Sequence, residues 1–117
     1  MYQAIWNDTV LAESEETVRV EGNHYFPQES LNSAYFSRDS LTSQCPWKGT
    51  AKYYTLAVDG QKNVQAAWYY PTPTPAAESI RNHVAFGKGV HIVKVKDDGD
   101  RKENPFVALC HRIMNRK

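Results

Sequence analysis

Two aromatic strands separated by one loop constrain this fold more than any other feature. Ala51–Val58 reads as a strand with Tyr54, Leu56 and Val58 on one face and Ala51, Tyr53, Thr55 and Ala57 on the other. After a loop over 59–63, Val64–Tyr70 returns with Val64, Ala66, Trp68 and Tyr70 sharing a face. Successive side chains of a strand point to opposite sides, so a hairpin that is apolar on both faces has to be covered on both. The rest of the chain must therefore supply two layers. The first strand is entered through Cys45-Pro46-Trp47-Lys48-Gly49, a turn that carries a thiol, an indole and an ammonium. The second ends at Pro71-Thr72-Pro73-Thr74-Pro75, which lacks the N–H groups a sheet interior needs and reads as a rigid extended loop.

The N-terminal part supplies strands. Tyr2–Trp6 and Thr9–Glu13 flank Asn7-Asp8, residue types that tolerate the left-handed conformation of a tight hairpin. Thr17–Glu21 alternates, placing Val18 and Val20 on a buried face, and Gly22-Asn23 ends it. These three strands read as an antiparallel meander. Gln28–Asn32 reads as one helical turn, and Ser37–Gln44 as a strand or a loop. Thr74 and Pro75 fit the cap and first position of a short helix through Ile80. His83–Phe86 and Val90–Lys96 read as strands around Gly87-Lys88-Gly89. A last helix is expected from Asn104 and Pro105, with Phe106, Leu109, Cys110, Ile113 and Met114 forming one apolar stripe that docks on the core or seals a dimer.

This pattern places the chain as a single mainly β domain over 1–117: a compact antiparallel β fold of twisted sheets, partly closed and barrel-like, with a short helix near 75–80 and a C-terminal helix. At 117 residues it is long enough for one core without staples. A net charge of +1 argues neither for a nucleic-acid nor for an acidic partner, and half of the basic excess of the last thirty-one residues lies near a charged turn or at the terminus, as solvated surface does, so a nucleic-acid partner is not expected. No apolar run reaches the ~18 residues of a membrane span, and the first residues lack the basic start and apolar core of a signal peptide. Two cysteines 65 positions apart make no disulfide framework. The location expected from this is the cytoplasm.

No metal is expected, because Cys45, Cys110, His24, His83, His91 and His111 show no ligand spacing. Cofactor motifs are absent: Gly87-Lys88-Gly89 and Lys48-Gly49-Thr50 echo a phosphate loop without opening a helix. Cys45 lies three residues from Lys48, whose ammonium would lower a thiol pKa, yet isolated cysteines most often serve as small packed hydrophobes. Aromatic residues divide in the same way. Most rings belong to a core, while a few, with Glu21, Asn23, Lys48 and Tyr hydroxyls as polar points, have the composition of a ligand cleft.

Several strings resemble one known family. Trp6-Asn7, Ala12-Glu13-Ser14, Val20-Glu21-Gly22-Asn23-His24-Tyr25-Phe26-Pro27, Cys45-Pro46-Trp47-Lys48-Gly49-Thr50-Ala51, Ala67-Trp68-Tyr69-Tyr70 and Ile80-Arg81-Asn82-His83-Val84-Ala85-Phe86 are similar, in order, to the domain of unknown function 427 family over about residues 4–93. The tail 94–117 lies outside the resemblance. One departure is Asp8, where the family usually has Gly. The resemblance implies a compact antiparallel β fold and importance for Glu21, Asn23, Tyr25, Cys45, Trp47, Lys48, Tyr53, Trp68 and Tyr70. It also brings the label "nucleotidyltransferase", which the residues themselves do not carry.

The reading that follows is a small polar or anionic ligand held in an aromatic cleft. Lys48 would neutralise the anion, Glu21 and Asn23 would orient polar groups, and Trp47, Trp68 and Tyr70 would form walls. The alternatives are an enzyme, of nucleotidyl transfer if the family label holds, and a protein-interaction module with the apolar helix stripe or the Thr-Pro loop as its contact surface; a homodimer is a further expectation. Lys48 itself admits three roles: a surface charge, half of a buried pair with Glu21, or a ligand anchor. The unusual Cys-Pro-Trp-Lys-Gly turn favours the third.

Overall fold

The computed structural model describes residues 1–95. Nine strands run in chain order: β1 (Tyr2–Trp6), β2 (Thr9–Ser14), β3 (Val18–Val20), β4 (Asn23–Tyr25), β5 (Phe36–Cys45), β6 (Gly49–Val58), β7 (Gln61–Tyr69), β8 (Val84–Phe86) and β9 (His91–Lys94). Short 3₁₀ turns occupy Gln28–Ser30, Ser33–Tyr35 and Pro75–Ile80. All strand pairs are antiparallel. The expectation of a mainly β, antiparallel fold holds. That of a barrel-like closure does not: the strands form separate sheets in the orders β2-β1-β9, β3-β4 and β5-β6-β7-β8. The expected C-terminal helix, with Leu109 and its stripe, lies outside the described residues.

The four-stranded sheet is the middle layer, as its two-faced apolar pattern requires. One face joins Leu56, Val58, Ala67, Tyr69, Val84 and Phe86 to Ala4, Leu11 and Ala12 of the three-stranded sheet. The other joins Ala51, Tyr70 and Ala85 to Tyr25 of β4 and to Ala77 and Ile80 of the Pro75–Ile80 turn. Phe26 ties the small sheet to the large one by exchanging two backbone hydrogen bonds of 2.8 Å with Val84.

Three local features depart from simple alternation. The N-terminal meander stops after two strands. Ser14 Oγ accepts from the Glu16 N–H and donates to the Glu16 carbonyl, and β3 turns away to pair with β4 through Glu21-Gly22, both at positive φ. Positive φ at both central residues is the signature of the type I′ hairpin, and Asn7-Asp8 shows it too, so Asp8 keeps the turn that Gly would make. The expected 59–63 loop is likewise a two-residue turn. Asp59 and Gly60 take φ of 51° and 79°, and β7 begins at Gln61 opposite Val58.

The third departure is a bulge. Val64, Gln65 and Ala66 stand opposite the single Thr55, with Gln65 at φ 58°. The extra residues break the alternation expected for β7. Trp68 and Tyr70 do share a face, but Ala66 joins the opposite core and Val64 is exposed. A second bulge on β5 places Ser40 and Leu41 between Asp39, which faces Tyr53, and Thr42, which faces Lys52. Asp39 joins the two irregularities: it accepts from the Leu41 N–H at 2.9 Å, the Gln65 amide at 3.2 Å and the Thr55 hydroxyl at 3.2 Å.

Candidate functional site

The turn that carries Lys48 is held from outside by the proline-rich loop. Gly49 has φ +112°, and a Cβ there would lie 3.2 Å from the Thr72 carbonyl oxygen. The Thr74 N–H donates to the Lys48 carbonyl at 3.1 Å, and the Thr74 hydroxyl donates to the Trp47 carbonyl. Thr74 thus uses its side chain on the turn and does not cap the Pro75–Ile80 segment, which is 3₁₀ and kinked at Ala77. Gly49→Ala combines a positive-φ backbone with a close contact to a main-chain oxygen, which would have to shift by a few tenths of an ångström. It is expected to cost roughly 1–3 kcal/mol; a melting temperature unchanged within a degree would show that the turn tolerates a side chain.

Lys48 is only 6% exposed. Its ammonium forms an ion pair with Glu21 across the tip of the β3–β4 hairpin. It also lies 5.0 Å from the Trp47 ring centroid and 5.7 Å from that of Tyr70, within cation–π range. Burial works against the charge of Lys48, but the Glu21 hydrogen bond and the polar groups of Tyr70, Tyr25 and Cys45 outweigh it and hold its pKa above the ordinary lysine value. Glu21 is held below the usual carboxylate range by Lys48 first and then by the Trp47 indole N–H, which donates to its second oxygen at 3.0 Å. Of the three roles open to Lys48, the surface charge is excluded. Lys48 is half of an internal pair whose carboxylate partner remains half-exposed.

Beside this pair opens a cleft of about 350 Å³ lined by Glu21, Asn23, Tyr25, Lys48, Tyr53, Gln65, Trp68, Tyr70, Gly87 and Lys88. Each element contributes by its period. Asn23 and Tyr25 are two apart on β4 and face the large sheet, while His24 between them turns away to pair with the Thr17 hydroxyl at 2.7 Å. Trp68 on β7 and Tyr70, one residue past its end, are two apart. The Trp68 indole N–H donates to the Tyr25 hydroxyl at 3.3 Å, and its ring lies tilted to Tyr53 with centroids 6.5 Å apart. Tyr25 is 1% exposed and Tyr70 5%. Burial raises both phenols, with Tyr70 pushed up to about 12, so both are protonated donors at neutral pH.

Seven of the nine residues singled out from the sequence meet in this cleft. Trp47 and Cys45 do not. Trp47 is 41% exposed and acts behind the pair, holding Glu21 and covering Lys48. Cys45 packs at the edge of the second core. Burial pushes its thiol up, but the N–H groups of Trp47 and Lys48 and the Lys48 ammonium outweigh this and leave it below the ordinary thiol value. It is a free thiol.

Three lining residues escaped sequence reasoning. Gln65 enters only because the bulge turns it; its N–H donates to the Thr55 hydroxyl at 3.2 Å and its amide to Asp39. Gly87 lies against the six-membered ring of Trp68, where a Cβ would approach to 3.1 Å. Lys88 donates to the Val64 carbonyl at 2.9 Å, and its own carbonyl accepts from Asn63 at 2.7 Å. The Gly-Lys-Gly turn is visible in the sequence, but its seat on Trp68 depends on a pairing between β7 and β8 that no local pattern records.

The family model described as "Domain of unknown function (DUF427)" matches residues 1–98. The chain belongs to the DUF427 family. The match includes β1, β9 and every lining residue of the cleft, and it extends a little past the region 4–93 marked by the sequence strings. No curated protein matches the chain. Among the described residues, no helix of this DUF427 domain is long and apolar enough to cross a membrane, and no three His, Cys, Asp or Glu side chains converge as a metal site would require.

Proposed function

We propose that this DUF427 domain binds a small polar or anionic organic molecule in the aromatic cleft beside the Glu21–Lys48 pair. The observation that carries this reading is the cleft wall. Aromatic surface from Tyr53, Trp68 and Tyr70 surrounds buried polar groups contributed by three separate chain segments. Small-molecule sites have this makeup, apolar walls with a few placed polar groups, and a volume of ~300–1,000 Å³. A fold that needed these rings only for packing would gain nothing from leaving the cleft open between them.

The ion pair changes how an anion would be recognised. The Lys48 charge is already met by Glu21, so the ammonium serves as an oriented donor and contributes little net charge. Nucleotidyl transfer has less in its favour: among the described residues the cleft contains one carboxylate, and both its oxygens are engaged by Lys48 and Trp47.

Lys48→Met tests the reading. The substitution keeps the stem under the aromatic rings and removes the donor. Because the stranded Glu21 carboxylate is half-exposed and solvated, the stability loss is expected near ~1–3 kcal/mol, the range for a hydrogen bond to a charged group. Ligands that stabilise the wild-type domain in a thermal-shift screen of small organic acids and amides should lose their effect in the variant. A wild-type domain with no stabilising ligand across such a screen would remove the support for a binding role.

A further inference from the structure

Accepting the cleft as a small-molecule site, we infer its ligand class: a monoanionic organic acid with one flat ring, its carboxylate held by Tyr70, Tyr25 and Lys48 and its ring against Trp68. Tyr70 is nine-tenths buried or more, lines the cleft, and its hydroxyl has no hydrogen-bond partner among the described residues. The Tyr25 hydroxyl accepts from Trp68, which leaves its own proton without an acceptor among the described residues. Lys48 gives one of its three protons to Glu21. Three buried groups on three segments therefore bring spare donors to one small space. Buried polar groups left unmatched are costly, and a carboxylate with its two oxygens and several lone pairs is the acceptor that matches them.

Charge sets the class more narrowly. Among the described residues, the cleft is lined by one carboxylate, Glu21, against two ammonium groups, Lys48 and Lys88, a net single positive charge. A monocarboxylate balances this. A triphosphate would bring several uncompensated negative charges into a space walled by tyrosine and tryptophan, where unpaired charge is penalised heavily. The volume, about 350 Å³, is at the small end of ligand sites and suits one or two rings. The indole of Trp68 is partly exposed and lines the cleft, with Gly87 at the Cζ3–Cη2 edge of its ring, and gives a ligand ring an aromatic partner. Asn23 and Gln65 stand on the same lining and supply amide groups for ring substituents.

The test uses the whole chain and three probes that share one phenyl ring: benzoate, its neutral planar isostere benzamide, and the bulkier phenyl phosphate, titrated by calorimetry and followed by amide and indole NMR shifts. Benzoate should bind at least ten-fold tighter than either of the others, with the largest shifts at Lys48, Trp68 and Tyr70. Tyr70→Phe should weaken benzoate about 10–100-fold, the effect of one hydrogen bond to a charged group. If that variant fails to fold, the location of the benzoate shifts in the wild-type protein decides instead; shifts away from the cleft overturn the assignment. Benzamide binding as tightly as benzoate, with both lost in Trp68→Ala, would overturn the acid class while leaving the cleft as a binding site. Tighter phenyl phosphate binding would overturn it in favour of a phosphoryl ligand. Failure of all three to bind at millimolar concentration would overturn the aromatic-acid class, while the binding role itself stands or falls with the thermal-shift screen.

Discussion

Phe26→Ala is expected to lower stability by about 3–5 kcal/mol, the range for deleting a fully buried aromatic ring. Phe26 has no exposed surface. Its ring meets Phe86 edge-on with centroids 5.6 Å apart, and it packs in the core between the three-stranded and four-stranded sheets. Its backbone carries the two-bond bridge to Val84 that attaches the β3–β4 hairpin to the large sheet. That hairpin brings Glu21, Asn23 and Tyr25 to the cleft. A loss of this size is a large share of the ~5–15 kcal/mol that holds a domain folded. Because Phe26 follows Tyr25 directly and points into the opposite core, the variant should also loosen the cleft before it unfolds. Urea unfolding measures the first effect, and loss of the Trp68 indole shift dispersion in NMR reports the second. Phe26→Leu, which keeps most of the volume, should recover most of the stability. A cost below about 1 kcal/mol for the Ala variant would mean that the hairpin is held by its backbone alone.

Alkali should unfold the domain cooperatively, and Tyr70 should be a main cause. Burial pushes its phenol up to about 12, an effect the nearby Lys48 ammonium only partly offsets. In the unfolded chain the phenol titrates near 10. Below pH ~10 the group is protonated in both states and pH has no effect through it. Above that, the unfolded chain releases its proton while the folded chain retains it, so stability falls as pH rises towards 12. The full effect of Tyr70 is roughly 2–3 kcal/mol. Tyr25 and Tyr69, also raised by burial, act in the same sense. So does Lys48, whose raised pKa makes the Glu21 pair fully stabilising below pH ~10.5 and lost above the folded value. Urea midpoints should therefore be flat from about pH 7 to 9 and drop steeply above 10, and Tyr70→Phe should make that drop shallower. A tyrosinate absorbance titration of the folded protein in which every phenol ionises near pH 10 would contradict the burial argument.

Much of this was legible in the residues because it depends on period and side-chain type. Apolar side chains on both faces of Ala51–Val58 could be buried only in a middle layer, and the structure covers that strand on both sides. Asn7-Asp8 marked a hairpin through its tolerance of positive φ. The Asp59-Gly60 pair carries the same signal, an Asp-Gly dipeptide at positive φ, and makes a two-residue turn where a loop over 59–63 is expected. The unusual Cys-Pro-Trp-Lys-Gly turn located Lys48, and the family strings located most of the cleft lining, because a site assembled from strands two residues apart leaves its spacing in the sequence.

What the sequence could not determine rests on contacts between distant segments. Whether Lys48 faced water, Glu21 or a ligand depended on where the β3–β4 hairpin lands, and that is decided by the Phe26–Val84 bridge 58 positions apart in number but adjacent in space. The bulge at Gln65 has no local signature; it is held by Thr55 and Asp39 from two neighbouring strands. Trp47 and Lys48 are chain neighbours with opposite fates, one 41% exposed and the other 6%. Residue type alone would have ranked them the other way. An indole is buried for its surface, whereas an ammonium is buried only where a carboxylate and aromatic faces meet it, and that meeting exists only in the folded chain.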